Sequence, residues 1–394
     1  MSGRASVLVV DDSPFVCRLV AGYLSAEDDL EVTGIAHSGA EALKRLRTLR
    51  PDVVTLDLEM PEIDGLEVVR RAMAERPTAV VVITGASGRA ATRTLQALDA
   101  GAVDFVLKYA PGGEVSPETL RREIVAKVRA AAGVRVVRSL PHRTAYLPAV
   151  PPFAAASLPP LGEGAESQGP GRARPSRADS SPTPGRRPTG LVVVGASTGG
   201  PLALKQLIAE LPADFELAML VVQHIPSSFT GVLAAQLGRH SRLPVREAET
   251  GDRLAAGHVY VAPGGRHLLL RRDGRLDLAL GPEVGGHRPS VDVTLQSAVQ
   301  AFGGRTIGVL LSGMGSDGVE GMRAVRAKGG RTFAQDAASC VVAGMSQRAI
   351  EAGLVEAVAP PAALGRLLGE IEGARFASST AAPEGPIGRL AERG

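Results

Sequence analysis

The chain has 394 residues, a formal net charge of +3 and the hydrophobic content of an ordinary globular protein. That charge is too small to indicate a nucleic-acid partner, and no apolar run reaches the roughly 18 residues that a membrane span needs. The two cysteines, Cys17 and Cys340, are too few for a disulfide framework or a zinc site. The sequence therefore predicts a cytoplasmic protein with room for two domains, no nucleic-acid partner and no direct membrane insertion.

Residues 1–132 alternate between short apolar stretches and stretches with helical spacing. The predicted strands are 7–10, 31–36, 52–56, 80–83 and 103–107, and the predicted helices are 14–24, 40–49, 66–74, 90–100 and 117–131. Strands that alternate with helices are typical of a doubly wound parallel sheet. We therefore predict a five-stranded α/β domain, whose functional groups should lie beyond the carboxyl ends of the strands.

Polar residues follow four of these strands where each strand ends. They are Asp11 and Asp12, Asp57, Thr84 and Lys108. Three carboxylates at one edge would repel each other unless a cation joined them, and hard oxygen ligands suit Mg²⁺. With that ion bound, one carboxylate could attack a phosphoryl group while Lys108 neutralises the developing charge. Any one of these residues could be a helix cap or a surface charge, but together they indicate a phosphoryl-transfer site.

The stretch 56–65, Leu-Asp-Leu-Glu-Met-Pro-Glu-Ile-Asp-Gly, resembles the phosphoacceptor segment of response-regulator receiver domains, and the resemblance covers residues 5–131. It implies Asp57 as phosphoacceptor, Asp11 and Asp12 as the acidic pair, Glu59 as a metal ligand through its backbone carbonyl, and Thr84 and Lys108 as switch residues. Tyr109 departs from the family pattern, because receivers usually have a proline there, often after a cis peptide bond. A non-proline cis bond is costly, so we expect a trans bond and an unusual phosphoryl lifetime.

Residues 133–189 have the composition of a linker. The stretch 133–190 contains 11 of the 28 prolines, and eight arginines against three acidic residues. Such a segment cannot form a core of its own and is predicted to be flexible, solvated and partly polyproline-like. It would connect the first domain to a second one at 190–373, and residues 374–394 are predicted to be a disordered tail.

The second domain opens with Leu191-Val-Val-Val-Gly-Ala-Ser-Thr-Gly-Gly200. This pattern predicts a buried strand, a tight turn and a helix that opens at the following proline. Ser197 at such a turn fits the nucleophile-elbow pattern, although a phosphate-binding loop or a plain turn could have the same letters. Further strands are predicted at 217–222, 306–311 and 331–334, a hairpin excursion near 258–262, 267–271 and 276–280, and helices at 202–211, from 228, and at 291–301, 319–327 and 361–372. This domain is therefore also predicted to be a parallel α/β domain.

Ser197, His224 and Asp317 each follow a different predicted parallel strand, so they should meet at one edge of the sheet. A serine nucleophile needs a base to accept its proton, and the imidazole needs a carboxylate to hold its tautomer. The backbone amides of residues 313–315 could stabilise an oxyanion. Each residue alone could be structural, and the order Ser…His…Asp argues against the α/β-hydrolase fold. Their convergence nevertheless predicts a serine hydrolase.

Four motifs resemble the catalytic domain of the CheB family of protein-glutamate methylesterases, in which a receiver precedes the catalytic domain. They are Gly-Ala-Ser-Thr-Gly-Gly at 195–200, Gln-His-Ile-Pro at 223–226, His-Arg-Pro-Ser-Val-Asp at 287–292 and Leu-Ser-Gly-Met-Gly-Ser-Asp-Gly at 311–318. The resemblance implies Ser197 as nucleophile, His224 as general base and acid, Asp317 as orienting carboxylate, Thr198 and the Met314 amide at the oxyanion, and His287 and Arg288 at the cleft rim. It implies no cofactor in the catalytic domain.

The same resemblance implies a phosphorylation-activated enzyme that demethylates glutamate methyl esters on chemoreceptor cytoplasmic domains, and often deamidates receptor glutamines. The implied partners are methyl-accepting chemoreceptors as substrate and a chemotaxis histidine kinase as phosphodonor. Two alternatives stay open: a serine hydrolase of another chemosensory pathway, and a phosphorylation-switched adaptor without catalysis. Because both domains should present their reactive groups at strand ends, we also expect the unphosphorylated first domain to cover the catalytic cleft.

Overall fold

A computed structural model describes residues 3–108, 116–134 and 186–379, with side chains described up to Ile371. Tyr109, most of the predicted linker (135–185) and most of the predicted tail (380–394) lie outside the described residues, so the predictions made for them stay predictions. No helix within the described ranges has both the length and the apolar character that crossing a bilayer requires.

The first domain is a five-stranded sheet with a hydrophobic cluster on each face. Its elements are β1 (Ala5–Val10), α1 (Pro14–Ser25), β2 (Leu30–Ala36), α2 (Gly39–Leu49), β3 (Val53–Asp57), α3 (Gly65–Glu75), β4 (Ala79–Thr84), α4 (Gly88–Asp99), β5 (Asp104–Leu107) and α5 (Pro117–Ala132). The strand order is β2-β1-β3-β4-β5, and every pairing is parallel. The five predicted strands and five predicted helices are all present.

Short polar side chains determine where the helices of the first domain begin. The N-cap residues are Ser13, Ser38, Asp64, Ser87 and Ser116, and each side chain accepts a hydrogen bond from a backbone N–H in the first turn. Such a cap satisfies one of the donors that a helix leaves unpaired at its start. Each helix therefore starts directly after a strand's carboxyl-terminal loop or a turn, which leaves that edge of the sheet open for functional groups.

The second domain contains a seven-stranded sheet and an antiparallel hairpin. Its elements are β6 (Leu191–Ala196), α6 (Gly200–Ala209), β7 (Ala218–Gln223), α7 (Ser227–His240), β8 (Val245–Glu247), β9 (Val259–Val261), β10 (His267–Leu270), β11 (Leu276–Ala279), α8 (Val291–Phe302), β12 (Thr306–Leu310), α9 (Val319–Ala327), β13 (Arg331–Gln335), α10 (Gly344–Glu351), β14 (Ala357–Ala359) and α11 (Pro361–Ser379). The large sheet has the order β14-β13-β12-β6-β7-β9-β8, and all its pairings are parallel.

Several sequence predictions for the second domain were incomplete. The segment near 258–262 belongs to the large sheet as β9 rather than to the hairpin, which β10 and β11 form alone. The strands β8 and β14 were not predicted, because three residues are too short to show a period. The helix α10 was also not predicted. The last helix continues to Ser379, so the tail predicted to be disordered from 374 is helical over its first residues.

Strand register brings the predicted catalytic residues to one edge of the sheet. β6 lies between β7 and β12, with Ala196 opposite Gln223 and Gly195 opposite Leu310. The residues that follow these pairs, Ser197 and His224, are therefore neighbours at the carboxyl ends of adjacent strands.

The two domains contact each other through α4, which packs against α6 and α7. Asp99 at the end of α4 forms an ion pair with Lys205 of α6, at 3.1 Å, and accepts a hydrogen bond from Gln236 of α7. The rings of Phe105 and Phe229 stack across the same interface with centroids 4.7 Å apart. The first domain therefore rests on the two helices that follow Ser197 and His224 in the chain.

Candidate active site

The turn after β6 holds Ser197 in a rigid elbow. Gly199 has φ +76°, a left-handed conformation that favours glycine, and an added Cβ there would lie 2.5 Å from the Cβ of Val341. Ser197 N–H donates to the carbonyl of Ser312 (3.0 Å), and the Ser312 hydroxyl donates to the carbonyl of Thr198 (2.7 Å). The elbow backbone is thus tied to the loop that follows β12.

His224 lies at the end of β7, where one of its ring nitrogens contacts a carboxylate and the other has no hydrogen-bond partner among the described residues. Its Nε2 lies 2.8 Å from Asp317 Oδ2, and its side chain is 8 % exposed. Because the ionised carboxylate can only accept, Nε2 carries the proton and Nδ1 presents a lone pair. Nδ1 is buried and has no hydrogen-bond partner among the described residues. This is the state that a general base needs before it accepts a proton.

Ser197 and His224 are connected by the side chain of Gln223 rather than by a direct hydrogen bond. Gln223 Nε2 donates to the carbonyl of Ser197 (2.8 Å) and to that of His224 (3.3 Å). Within the described parts of the chain, Ser197 Oγ makes no hydrogen bond, so the hydroxyl is not committed to another acceptor. Catalytic hydrogen bonds are often formed only in the substrate complex.

Asp317 is held by four donors. Its carboxylate accepts from His224 Nε2, from the Ser290 hydroxyl (2.8 Å), and from the backbone N–H groups of Val291 (2.7 Å) and Asp292 (3.1 Å). Burial raises the pKa of Asp317, but His224 and the amide donors outweigh it and hold that pKa well below its usual value. The carboxylate therefore stays ionised and fixed, with its second oxygen bound at the start of α8.

Asp292 forms a reciprocal contact with Asp317. Asp317 precedes α9 and binds the first turn of α8, whereas Asp292 belongs to α8 and accepts from Gly321 N–H in the first turn of α9 (2.6 Å). Burial, together with the nearby charge of Asp317, raises the pKa of Asp292 to about 6. Asp317 thus binds the start of α8, which carries Asp292, and Asp292 binds the start of α9, which follows Asp317, so the orientation of Asp317 is fixed.

The raised pKa of Asp292 leads to a testable pH dependence. The folded chain holds this proton up to about pH 6, whereas the unfolded chain releases it near 3.8. The folded state should therefore lose stability relative to the unfolded state as pH rises from about 4 to 6. Asp292→Asn should remove that loss. We expect the free energy of unfolding of Asp292→Asn, minus that of wild type, to be about 1–2 kcal/mol more positive at pH 7.5 than at pH 4, allowing for partial solvent screening.

Chemical denaturation at the two pH values measures this difference. Asp214→Asn, which replaces an exposed acid of the same domain, is the matched control and should show no such change. If the free energies of unfolding of Asp292→Asn and wild type differed by the same amount at both pH values, the raised pKa of Asp292 would be contradicted.

Three backbone amides near Ser197 have no hydrogen bond to a described residue and could serve an oxyanion. Of the three predicted at 313–315, the Gly313 N–H is already bonded to the carbonyl of Val342 (2.8 Å), so that part of the prediction was wrong. The N–H groups of Met314, Gly315 and Thr198 make no hydrogen bond to any described residue. The loop that carries Met314 lies against the elbow, since an added Cβ on Gly313 would lie 2.9 Å from the Cβ of Ser197. The predicted role of the Met314 and Thr198 amides as oxyanion donors stays a prediction.

The residues predicted at the cleft rim have different environments. The ring of His287 stacks on that of His224, with centroids 3.9 Å apart and an interplanar angle of 7°. The guanidinium of Arg288 instead donates to the carbonyl of Gly281 within its own loop (2.8 Å). The structure thus brings His287, and not Arg288, into contact with the predicted base.

The acidic residues of the first domain also converge. Lys108 Nζ lies 2.8 Å from Asp11 Oδ2 and 3.0 Å from Asp57 Oδ2, and the carboxylates of Asp11, Asp12 and Asp57 lie within 4.8 Å of one another. Burial, with a smaller contribution from Asp57, raises the pKa of Asp11 despite Lys108. Three carboxylates facing one cation leave negative charge uncompensated, and their hard oxygens fit a divalent ion such as Mg²⁺.

The remaining receiver residues have contacts of their own. The buried hydroxyl of Thr84 accepts a hydrogen bond from Thr94 of α4 (3.1 Å). Glu59 N–H donates to Asp57 Oδ1 (3.2 Å), and the predicted role of its carbonyl as a metal ligand stays a prediction. Gly65 approaches Asp57 so closely that an added Cβ would lie 2.2 Å from the carbonyl oxygen of Asp57.

Sequence reasoning did not assign the residues that support the predicted triad. They are Gln223, Ser290, Asp292 and Ser312. Two of them could have been found by the signal that identified His224, a polar residue at the carboxyl end of an apolar strand. Gln223 is the last residue of β7, and Ser312 closely follows β12. Ser290 and Asp292 begin a helix, where a capping role is the ordinary expectation.

Comparison with known proteins agrees with this arrangement. The family model described as CheB methylesterase matches residues 192–368, and that of the response regulator receiver domain matches residues 7–116. A protein of Symbiobacterium thermophilum named protein-glutamate methylesterase/protein-glutamine glutaminase is 43% identical over 358 residues, covering 90% of this chain and 93% of the relative. A relative of the same name from Moorella thermoacetica is 39% identical, covering 91% and 96%.

Among solved structures, the Thermotoga maritima CheB methylesterase catalytic domain is 40% identical, with a TM-score of 0.45 over 46% of this chain and 98% of that domain. The response regulator domain of Thermotoga maritima CheB is 36% identical, with a TM-score of 0.31 over 34% and 98%. The curated relatives match along nearly the whole chain, across both domains. The chain therefore belongs to the CheB family, with a response-regulator receiver domain followed by a methylesterase domain.

Proposed function

We propose that this chain hydrolyses glutamate methyl esters on the cytoplasmic domains of chemoreceptors, and deamidates glutamines there, with Ser197, His224 and Asp317 as its catalytic triad. The observation that carries the proposal is the imidazole of His224, which Asp317 holds at 2.8 Å while its second nitrogen stays buried and has no hydrogen-bond partner among the described residues. An adaptor without catalysis would have no need of such an arrangement, and nothing in the site favours a pathway other than chemotaxis.

The geometry supports acyl transfer in two steps. His224 Nδ1 accepts the Ser197 proton as Oγ attacks the ester carbonyl, and the amides of Met314 and Thr198 donate to the oxygen that becomes negative. The tetrahedral intermediate collapses as the proton passes from His224 to the departing methoxide, which leaves as methanol. Water, deprotonated by the same imidazole, then releases the glutamate carboxylate. With a glutamine substrate the same steps release ammonia.

The receiver domain would regulate the esterase activity. We assign Asp57 as the acceptor of a phosphoryl group from a chemotaxis histidine kinase, and Asp11, Asp12 and Asp57 as the side chains that would hold Mg²⁺. The ion would neutralise charge on the transferred phosphoryl group when bound. Lys108 already contacts two of the carboxylates and would pair with the new phosphoryl oxygens.

Contacts between the domains support inhibition by the unphosphorylated receiver. Val341 packs against a hydrophobic cluster of the first domain, and on its other side it touches Gly199 of the nucleophile elbow. The first domain thus reaches the rim of the cleft that a receptor helix must enter. Thr84 is bonded to Thr94 on α4, the helix that contacts the catalytic domain, so a Thr84 hydroxyl drawn toward a phosphoryl group would release this contact.

The proposed activity is tested with receptor cytoplasmic fragments that carry labelled glutamate methyl esters. The phosphorylated full-length chain should release methanol and leave free glutamate, and fragments that carry glutamine at these sites should release ammonia. If the phosphorylated chain released neither product, the proposed activity would be wrong.

The interface predicts a gain of activity when one charge is reversed. Asp99→Lys removes the ion pair with Lys205 and places two lysines together, while the bond from Gln236 is also lost. Partly exposed ion pairs contribute little, so we expect the unphosphorylated chain to demethylate receptors about threefold to tenfold faster. The exchange Asp99→Lys with Lys205→Asp restores the opposite charges and should lower the rate again.

Glu75→Lys is the control for charge reversal, because Glu75 forms an exposed ion pair with Arg47 inside the receiver. It should leave the unphosphorylated rate as it is. If Asp99→Lys left the rate unchanged or lowered it, this interface would not be inhibitory.

A further inference from the structure

The two imidazoles of the catalytic domain that meet at the active site overlap face to face. The ring centroids of His224 and His287 are 3.9 Å apart and their planes differ by 7°. Two flat rings that are nearly parallel at this distance leave little room for either to turn. One face of the proposed base is therefore covered by a side chain from a different segment of the chain.

The backbone around His287 is built to hold this ring in place. Val284 and His287 exchange two backbone hydrogen bonds, of 3.1 and 3.2 Å, across a turn in which Gly285 and Gly286 both have positive φ. On the other side, the carbonyl of Arg288 accepts from Gly265 N–H (2.9 Å). The ring is thus anchored from both directions along the chain, independently of His224.

The ring nitrogens of His287 have no polar role in the described structure. Neither nitrogen hydrogen-bonds to any described residue. Burial lowers the pKa of His287, and the neighbouring His224 lowers it further, so the ring is neutral at neutral pH. The ring of His287 therefore presents a flat, uncharged surface to the ring of His224.

The contact with Asp317 alone does not fix the plane of the His224 ring. A hydrogen bond at Nε2 holds one end of the imidazole, but the torsion that turns the ring about its Cβ–Cγ bond has a broad energy minimum. Turning about this axis would move Nδ1, the nitrogen that must reach the Ser197 hydroxyl if His224 is its base. Catalysis is sensitive to such displacements, since a misplacement of about 1 Å can cost about 100-fold in rate.

We propose that His287 is a positioning residue, whose ring holds the imidazole of His224 in the plane that aims Nδ1 at Ser197. The inference rests on the proposed esterase function and adds to it a residue that acts through the base. A flat neutral ring is all that this role requires, so another aromatic side chain should perform it.

Three substitutions separate stacking from hydrogen bonding. His287→Phe keeps a flat ring without a polar atom, His287→Gln keeps polar atoms without a ring, and His287→Ala keeps neither. We expect kcat for methanol release to fall about 10-fold to 100-fold in the Ala and Gln variants with KM little changed, and to stay within about threefold of wild type in the Phe variant.

A second measurement does not depend on the natural substrate. The rate at which a serine-reactive phosphonate labels Ser197 should follow the same order, with wild type and His287→Phe fast and the other two slow. If wild type were labelled but released no methanol, the proposed substrate would be wrong, and the order of labelling would still decide the role of His287.

His258→Ala is the matched control, because His258 stacks on Tyr260 in the same domain. It should leave both rates unchanged. Activity retained in His287→Gln but lost in His287→Phe would overturn the proposal in favour of a hydrogen bond to substrate. Wild-type rates in all three variants would overturn it as well.

Discussion

Replacing Ser197 by alanine is expected to lower methanol release from methylated receptors by about 10³-fold or more. The change removes the hydroxyl that we assign as the attacking group. The fold should be preserved, because Ser197 Oγ makes no hydrogen bond to any described residue, whereas the elbow is held by backbone contacts that alanine keeps. The melting temperature of the catalytic domain should therefore match that of wild type.

Ser241→Ala, at the end of α7, controls for loss of a serine hydroxyl elsewhere in the domain and should retain full activity. His224→Ala should cost about as much as Ser197→Ala, since nucleophile and base act as a unit. A folded Ser197→Ala protein with near-normal methanol release would exclude Ser197 as the nucleophile.

Replacing Asp57 by asparagine is expected to abolish phosphorylation of the receiver. A small phosphodonor with Mg²⁺ should give wild type an adduct that is stable in acid and labile in base, as expected for an acyl phosphate. Asp57 is buried between Lys108, at 3.0 Å, and the two other carboxylates, and an amide cannot act as the nucleophile in its place. Mass spectrometry of the intact chain and its peptides measures the adduct and its position.

Asp104→Asn is the control for this experiment. Asp104 is another buried acid of the receiver, paired with Lys127 and not with Lys108, so its loss should leave phosphorylation intact. A phosphoryl group mapped to a residue other than Asp57, or undiminished in Asp57→Asn, would contradict the assignment.

The architecture of both domains could be predicted because long apolar strands and capped helices are strong local signals. All strands of five or six residues in the second domain were predicted, whereas β8 and β14, of three residues each, were not. The short β9 was detected but assigned to the hairpin, since local sequence does not reveal whether a segment pairs with a neighbour or joins the central sheet. Pairing between distant segments depends on tertiary contacts.

The candidate site could be predicted where its residues directly follow the carboxyl ends of parallel strands. Ser197, His224 and Asp317 were identified in this way, and the structure brings His224 and Asp317 into direct contact. The stack of His287 on His224 and the reciprocal caps of Asp292 and Asp317 could not be predicted. Both depend on how the loop before α8 packs against β7 and α9, and no periodicity in the sequence reports that packing.

Phosphorylation-controlled ester hydrolysis by Ser197 is tested most directly by the initial rate of methanol release. The rate is measured on methylated receptor fragments for the full-length chain and for Ser197→Ala, each with and without a small phosphodonor and Mg²⁺. We expect the wild-type rate to rise several-fold with the phosphodonor, and Ser197→Ala to release no measurable methanol under either condition. Equal release by wild type and Ser197→Ala would contradict the proposed function.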